Sequence, residues 1–214
     1  MTLSLFADEP RQTLSEGAWL LRGFALAEAA ALVEDIAALT RRAPFRHLVT
    51  PSGHRMSVAM SNCGALGWVS DRRGYRYQAC DPDSGEPWPA MPAAFSALAL
   101  RAARAAGFED FHPDACLVNR YARGARLSLH QDKDEGDLSQ PIVSVSLGVP
   151  ARFLWGGARR QDSPRRIALA HGDVVVWGGP ARLTYHGVAE LAEGQHALTG
   201  AYRYNLTFRK AGAA

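Results

Sequence analysis

The 214-residue sequence predicts a mainly β protein of the α+β class, with a closed or two-sheet β core and two helices packed outside it. Three observations lead there. From Cys116 onward the chain reads almost wholly as short strand-like runs divided by Gly and Pro turns, the pattern of sandwiches and barrels. Two earlier segments carry helical periodicity instead. Hydrophobic content of 47% and charge of 21% are ordinary for a soluble globular chain, and the length suits one domain over 1–214 around one buried core.

Taken in order, residues 1–23 read as an extended arm anchored by Leu3, Leu5 and Phe6, then by Trp19, Leu20 and Leu21. From Leu26 to Leu39 the spacing of Leu32, Ile36 and Leu39 gives one apolar stripe, joined by Ala29 and Val33. Arg41 and Arg42 complement the dipole at its end, and Pro44 closes it off. Residues 45–90 are rich in Gly, Ser, Pro and aromatics. They read as short strands (MSVAMSN, GWVS, GYRYQ) separated by turns such as Asp71-Arg72-Arg73-Gly74. A second helix is predicted from Pro92 to Ala106. Pro suits its first turn, Phe95, Leu98 and Ala102 make the buried stripe, and Gly107 stops it. The β region follows as CLVNRY and ARLSLHQD, joined through Ala122-Arg123-Gly124, then PIVSVSLG, ARFLWGG, RRIALAHGDVVVWGG, RLTYHGV and ALTGAYRYNLTFRK.

The 24 Lys and Arg residues against 21 Asp and Glu leave a net charge of +3, which permits nucleic acid as a partner without requiring it. Cys63, Cys80 and Cys116 are widely spaced with no CxxC pair, which argues against a disulfide framework and a cysteine zinc site and suits a reducing compartment. They read as small buried residues without assigned chemistry. MTLSLFADEP has no basic n-region and no apolar run approaches a membrane span, so the expectation is a soluble, cytoplasmic protein that engages no membrane.

The chemistry centres on Leu129-His130-Gln131-Asp132. His130 and Asp132 are two residues apart, which on a strand puts both on one face. With His186 from a distant strand they make a two-histidine, one-carboxylate set, the ligand pattern of non-haem Fe(II) oxygenases. Alone, HxD suits equally a strand end running into the solvated acidic turn DKDEGD. The last strand adds a second signal. Alternation puts Arg203, Asn205, Thr207 and Arg209 on one face and Tyr204, Leu206 and Phe208 on the other. If the polar face lines the interior, both arginines need anions. Their Cα atoms lie roughly 20 Å apart, so both long side chains must fold inward to reach the ends of one dicarboxylate. The guanidinium fork matches such a group. A solvated outer face is the other account of that strand.

Asn119-x-Tyr121-x-x-Gly124-x-x-Leu127-x-x-His130-x-Asp132, His186, and Arg203-x-Asn205-x-Thr207-x-Arg209 together resemble the AlkB family of Fe(II)- and 2-oxoglutarate-dependent dioxygenases. MSVAMSNCG, LGW, DPDSGEPWPAMP, SLHQDKDE and HGDVVVWGG extend the likeness over most of the chain, while Arg123 departs from it where the bacterial member has Pro. The resemblance implies a double-stranded β-helix (jelly-roll) core over 116–210 and a nucleotide-recognition lid over 45–90. It implies Fe(II) on His130, Asp132 and His186, with 2-oxoglutarate and O2 as co-substrates. Arg203 would bind the distal carboxylate of 2-oxoglutarate, helped by Asn119, Tyr121 and Asn205, with Arg209 near the metal-side end. The implied reaction is oxidative demethylation of 1-methyladenine and 3-methylcytosine in DNA, RNA being left open, with release of formaldehyde, succinate and CO2. The implied enzyme is a monomer that favours single-stranded DNA.

In the lid segment Trp68, Tyr75 and Tyr77 offer flat faces and Arg72, Arg73 and Arg76 positive charge, which suits a flipped-out base and its phosphates. A satellite aromatic core with a solvated turn is the plainer account. By resemblance Asp134 contacts the amino edge of a base that alkylation makes cationic, and Arg160 contacts the nucleic acid. Arg41, Arg42, Arg46 and Arg55 are expected in structural or solvated roles, and Glu135 and Asp137 in solvent. His47, His54, His112, His171 and His196 are expected to be structural or exposed. The competing classes are an oxygenase acting on a protein or small molecule, a non-catalytic nucleic-acid-binding module, and a zinc hydrolase. The last has no use for Arg203 and Arg209.

Overall fold

The computed structural model describes residues 9–212. In chain order the elements are β1 (Arg11–Ser15), β2 (Ala18–Leu21), α1 (Ala29–Thr40), β3 (Ala59–Gly64), β4 (Gly67–Asp71), β5 (Gly74–Gln78), α2 (Ala93–Ala105) and β6 (Ala115–Tyr121). They continue as β7 (Leu127–His130), β8 (Ile142–Gly148), β9 (Ala151–Trp155), β10 (Arg165–Leu169), β11 (Val174–Trp177), β12 (His186–Val188) and β13 (Arg203–Arg209). Seven strands make a large sheet in the order β1-β2-β11-β8-β13-β6-β3, four make a small one in the order β10-β9-β12-β7, and β4 and β5 form a separate hairpin.

Alternation along the strands sorts the core into two layers. On β11, Val174 and Val176 join the cluster that holds Leu32 and Ile36 of α1 and Phe95 and Leu98 of α2. Val175 and Trp177, of opposite parity, join Phe153, Trp155 and Val188 of the small sheet. The helices therefore cover the outer face of the large sheet, and the small sheet covers its inner face. This is a two-sheet jelly-roll, the double-stranded β-helix. The helix stripes agree with the predicted ones: Ala29, Leu32, Ile36 and Leu39 are buried on α1, and Phe95, Leu98, Ala99, Ala102 and Ala103 on α2. A short 3-10 turn, Leu26–Glu28, precedes α1, which makes the regular helix begin three residues later than its periodicity suggests.

Three expectations are corrected. The extended arm is a β-hairpin. Its second strand pairs antiparallel with β11, Trp19 opposite Val176, so Trp19, Leu20 and Leu21 are strand residues rather than loose anchors. Leu3, Leu5 and Phe6 lie outside the described residues. The large sheet thus takes β1, β2 and β3 from before residue 116. The run RRIALAHGDVVVWGG is two strands in different sheets, turned at Gly172 with φ of 84°. The run ALTGAYRYNLTFRK is extended only from Arg203, because 196–202 form a tight turn closed by the backbone bonds between His196 and Gly200. Among the described residues no helix is long and apolar enough to cross a membrane.

Candidate metal and anion centre

The site lies between the sheets. β12 pairs antiparallel with β7, and the register sets His186 directly opposite His130, with ring centroids 4.4 Å apart. β7 ends at His130, so Asp132 sits beyond the strand rather than on it. It is held there by hydrogen bonds instead. Arg209 donates to Asp132 Oδ2 from Nε at 3.0 Å and from Nη2 at 2.8 Å, and Arg182 Nη1 donates to the Asp132 carbonyl at 2.7 Å. The result is a cluster in which one ligand atom from each of His130, Asp132 and His186 lies within 4.8 Å of the others.

Each histidine carries its own orientation device. His130 Nδ1 lies 2.9 Å from the Ser128 carbonyl and His186 Nδ1 3.0 Å from the Thr184 carbonyl. A carbonyl only accepts, so both Nδ1 atoms carry the proton and both Nε2 lone pairs are free to bind a cation. The Nε2 atoms stand 3.6 and 3.7 Å from the two Asp132 oxygens. Burial, and then the neighbouring His130, push His186 down to about 4, so its imidazole is neutral at neutral pH. Burial alone would raise the Asp132 carboxyl. Arg209 foremost, with the two histidines, outweighs it and holds the group well below the ordinary carboxylate range. Two imidazole nitrogens and one anionic carboxylate fit a first-row divalent ion such as Fe(II).

β13 supplies the anion side. Arg203, Asn205, Thr207 and Arg209 are all buried and line the same cleft, of about 830 Å³, as the three candidate ligands. The opposite face of the strand, Leu206 and Phe208, packs into the helix layer. Arg203 is 2% exposed and lies 4.8 Å above the Tyr121 ring. Its Nη2 donates to Ser146 Oγ at 3.0 Å, whereas Nε and Nη1 have no partner among the described residues. A buried guanidinium with two unsatisfied donors facing a cleft is suited to a carboxylate. Asn119 donates to Asn205 Oδ1, Thr207 donates to the same oxygen, and Asn205 donates to Ser144 Oγ and the Val145 carbonyl, so this wall is fixed.

The mouth is formed partly by the β4–β5 hairpin. Trp68 and Tyr75 stack with ring centroids 5.5 Å apart at 14°, and both line the cleft. Trp68 Nε1 donates to Asp134 Oδ2 at 3.0 Å. Asp134 and Arg160 also line the cleft. Arg76 and Tyr77 do not. Arg76 turns back to Asp71 and Gln78, and the Tyr77 hydroxyl donates to Glu135. Arg72 and Arg73 are exposed in the hairpin turn, Arg73 bound to Asp71.

Sequence reasoning misplaced a few side chains here. Glu135, expected in solvent, is buried between Arg182 and Arg209, while Asp137 is only half-buried. Arg46, by contrast, is structural as expected, paired with Asp81 and Asp83. Exposed Arg55 and His54 line the cleft. Cys80 is exposed, unlike Cys63 and Cys116. Ser144 and Ser146 went unnoticed, although two serines at i, i+2 in the otherwise apolar IVSVSLG mark a polar inner face. Arg182 and Trp177 carried no signal of their own. Trp177 lies 4.8 Å from the His186 ring, with a buried Nε1 that has no partner among the described residues.

Against this geometry, the sequence profile of the 2OG-Fe(II) oxygenase superfamily matches residues 17–209. The alpha-ketoglutarate-dependent dioxygenase AlkB of Escherichia coli is 59% identical over 212 residues, 98% of each chain. This chain belongs to the AlkB family of 2OG-Fe(II) oxygenases. It is a dioxygenase dependent on Fe(II), 2-oxoglutarate and O2. The solved structure of OsALKBH1 superposes with a TM-score of 0.83 at 30% identity, covering 94% of this chain and 100% of that one. The human nucleic acid dioxygenase ALKBH1 is 35% identical over 124 residues, 58% of this chain and 31% of that protein.

Proposed function

We propose that the protein is an oxidative demethylase of N-alkylated bases, 1-methyladenine and 3-methylcytosine, with single-stranded DNA its favoured substrate, and that it acts as a monomer in the cytoplasm. The observation that carries this reading is one cleft holding the three candidate ligands on its floor and, at its mouth, a stacked aromatic pair with the Asp134 carboxylate bonded to Trp68. Family membership supports it, as does the nucleic-acid substrate in the name of the human relative.

In this reading His130, Asp132 and His186 hold Fe(II), the His186 imidazole being neutral and the Asp132 carboxylate anionic at neutral pH. Arg203 receives the distal carboxylate of 2-oxoglutarate on its two unpartnered donors, with Asn119, Tyr121 and Asn205 fixing the wall beside it. Arg209 stands at the metal-side end. When bound, iron with 2-oxoglutarate and O2 supplies the oxidising power that hydroxylates the N-methyl carbon, and the product releases formaldehyde. Trp68 and Tyr75 stack a flipped-out base, and Asp134 faces the amino edge of a base made cationic by the lesion. Arg160 neutralises phosphate. The segment 45–90 is the nucleotide-recognition lid and 116–210 the catalytic core.

The test is to load purified protein anaerobically with Fe(II), 2-oxoglutarate and a single-stranded oligonucleotide carrying 1-methyladenine, then to admit oxygen. Formaldehyde, succinate and repaired base should appear in matched yields, and Asp132→Ala should give none. Succinate without repaired base would reject the substrate, and full repair by Asp132→Ala would reject the ligand set.

A further inference from the structure

Glu135 lies three residues beyond the candidate ligand Asp132, in a stretch whose composition marks it as surface, yet its side chain is 2% exposed. Both oxygens are engaged. Oε2 accepts from Arg182 Nη2 at 3.1 Å, and Oε1 faces Arg209 Nε at 3.3 Å and accepts from the Tyr77 hydroxyl at 2.8 Å. These three partners belong to different parts of the molecule. Arg209 ends β13 and grips Asp132 Oδ2 with two donors. Arg182 binds the carbonyls of Asp132 and Gln140, fixing the loop that carries both acids. Tyr77 sits on β5, the outer strand of the hairpin that presents Tyr75 and Trp68 to the cleft.

A buried carboxylate facing two guanidiniums is costly to retain for stability alone, since well-packed apolar side chains do as well. Its position suggests a different use. We propose that Glu135 is a positioning residue for the reaction: through Arg209 it sets the metal-facing carboxylate of Asp132, and through Tyr77 it fastens the β4–β5 hairpin over the cleft. Neither Glu135 nor Tyr77 lines the cleft, so both act through other groups. Arg209 is shared between two acids, and removing the charge of Glu135 leaves the guanidinium to rotate about Asp132. Removing the Tyr77 hydroxyl frees the hairpin and leaves the ionic pairs intact. The hairpin half of this inference rests on the nucleic-acid reading above; the metal half does not.

The two halves separate experimentally because Glu135→Gln keeps an oxygen that accepts from Tyr77 but loses the charge that faces the arginines. Tyr77→Phe does the reverse. Three quantities are measured without turnover: anaerobic Fe(II) affinity, the visible charge-transfer band of the Fe(II)·2-oxoglutarate protein, and affinity for a single-stranded oligonucleotide bearing one 1-methyladenine. Tyr77→Phe is expected to weaken oligonucleotide binding about tenfold, the usual loss of a hydrogen bond to a charged partner. Its Fe(II) affinity and band should match wild type. Glu135→Gln is expected to weaken Fe(II) binding about tenfold and to shift the band, from the loss of one charge-assisted contact on Arg209. Fe(II) and oligonucleotide affinities that stay within twofold in both variants would overturn the proposal. So would parallel losses of both affinities that track the melting temperature, since that is what a merely structural role gives. If Glu135→Gln does not fold, the Tyr77→Phe arm decides alone, and unchanged oligonucleotide binding there overturns the proposal. A wild-type protein that takes up Fe(II) but binds no oligonucleotide strikes at the nucleic-acid reading, and the metal arm then decides for Glu135.

Discussion

Arg203 is a cation with almost no solvent, one hydroxyl partner, an aromatic ring beneath it and two donors left over. Burial works against its charge. Such a group costs the folded protein stability until an anion arrives, so its removal should separate binding from folding. Arg203→Met keeps the bulk and drops the charge. It is expected to weaken 2-oxoglutarate binding by at least ~100-fold, the scale of a broken buried pair, while the co-substrate-free protein melts no lower than wild type. A titration beside a thermal melt checks both; normal 2-oxoglutarate affinity with a lowered melting temperature would make Arg203 structural. This residue was legible in the sequence because RYNLTFR puts polar side chains on one parity and apolar ones on the other. Glu135 was not legible. Nothing in DKDEGD marks it for burial, which arises only when Arg182 and Arg209 arrive from distant segments.

Between strands, the site depends on how closely β12 approaches β7. Gly187 follows His186, and a Cβ added there would meet the Leu127 carbonyl oxygen at 2.6 Å and further backbone of β7 at 3.1 and 3.2 Å. Backbone cannot rotate away as a side-chain end can, so the strands would have to part where His186 faces His130. Gly187→Ala is therefore expected to lower stability by about 1–3 kcal/mol, the cost of overpacking. Fe(II) affinity should fall with it, because the two Nε2 atoms no longer converge. Anaerobic metal titration and a denaturant melt measure the two effects, and unchanged Fe(II) affinity would show that the pairing tolerates the spread. The strands themselves were largely legible, from turn residues and alternation. Their sheet membership was not: β10 and β11 read as one run but feed different sheets, since a turn at a positive-φ glycine leaves the apolar pattern on both sides unchanged. Asp132 was placed correctly in space for a partly mistaken reason, because arginine bonds rather than strand alternation hold it.

Over the whole molecule, the sheets give the cleft a floor that excludes solvent, while the rim is set by charge. A net charge of +3 is too small to bind a polyanion by itself. What matters is where the cations stand. Exposed Arg55, Arg126, Lys133 and Arg160 all line the cleft; the sequence assigned only Arg160 to nucleic acid and set Arg55 in a structural or solvated role, because folding is what brings the four together. Each phosphate neutralised on a single strand releases counterions and steepens the fall of log K with log salt by about 0.7. Four such contacts give an expected slope of about −3 for a short single-stranded oligonucleotide. Arg160→Ala should flatten it by about 0.7 and weaken binding alike for methylated and unmethylated strands, because a phosphate contact carries no information about the base. Asp134→Ala should do the opposite, leaving the slope unflattened and removing the preference for a cationic lesion. Fluorescence anisotropy across a salt series, with both oligonucleotides and both variants, measures the two effects together. A slope near zero would exclude the rim as a backbone track, and a slope unchanged by Arg160→Ala would move the strand to the other side of the cleft.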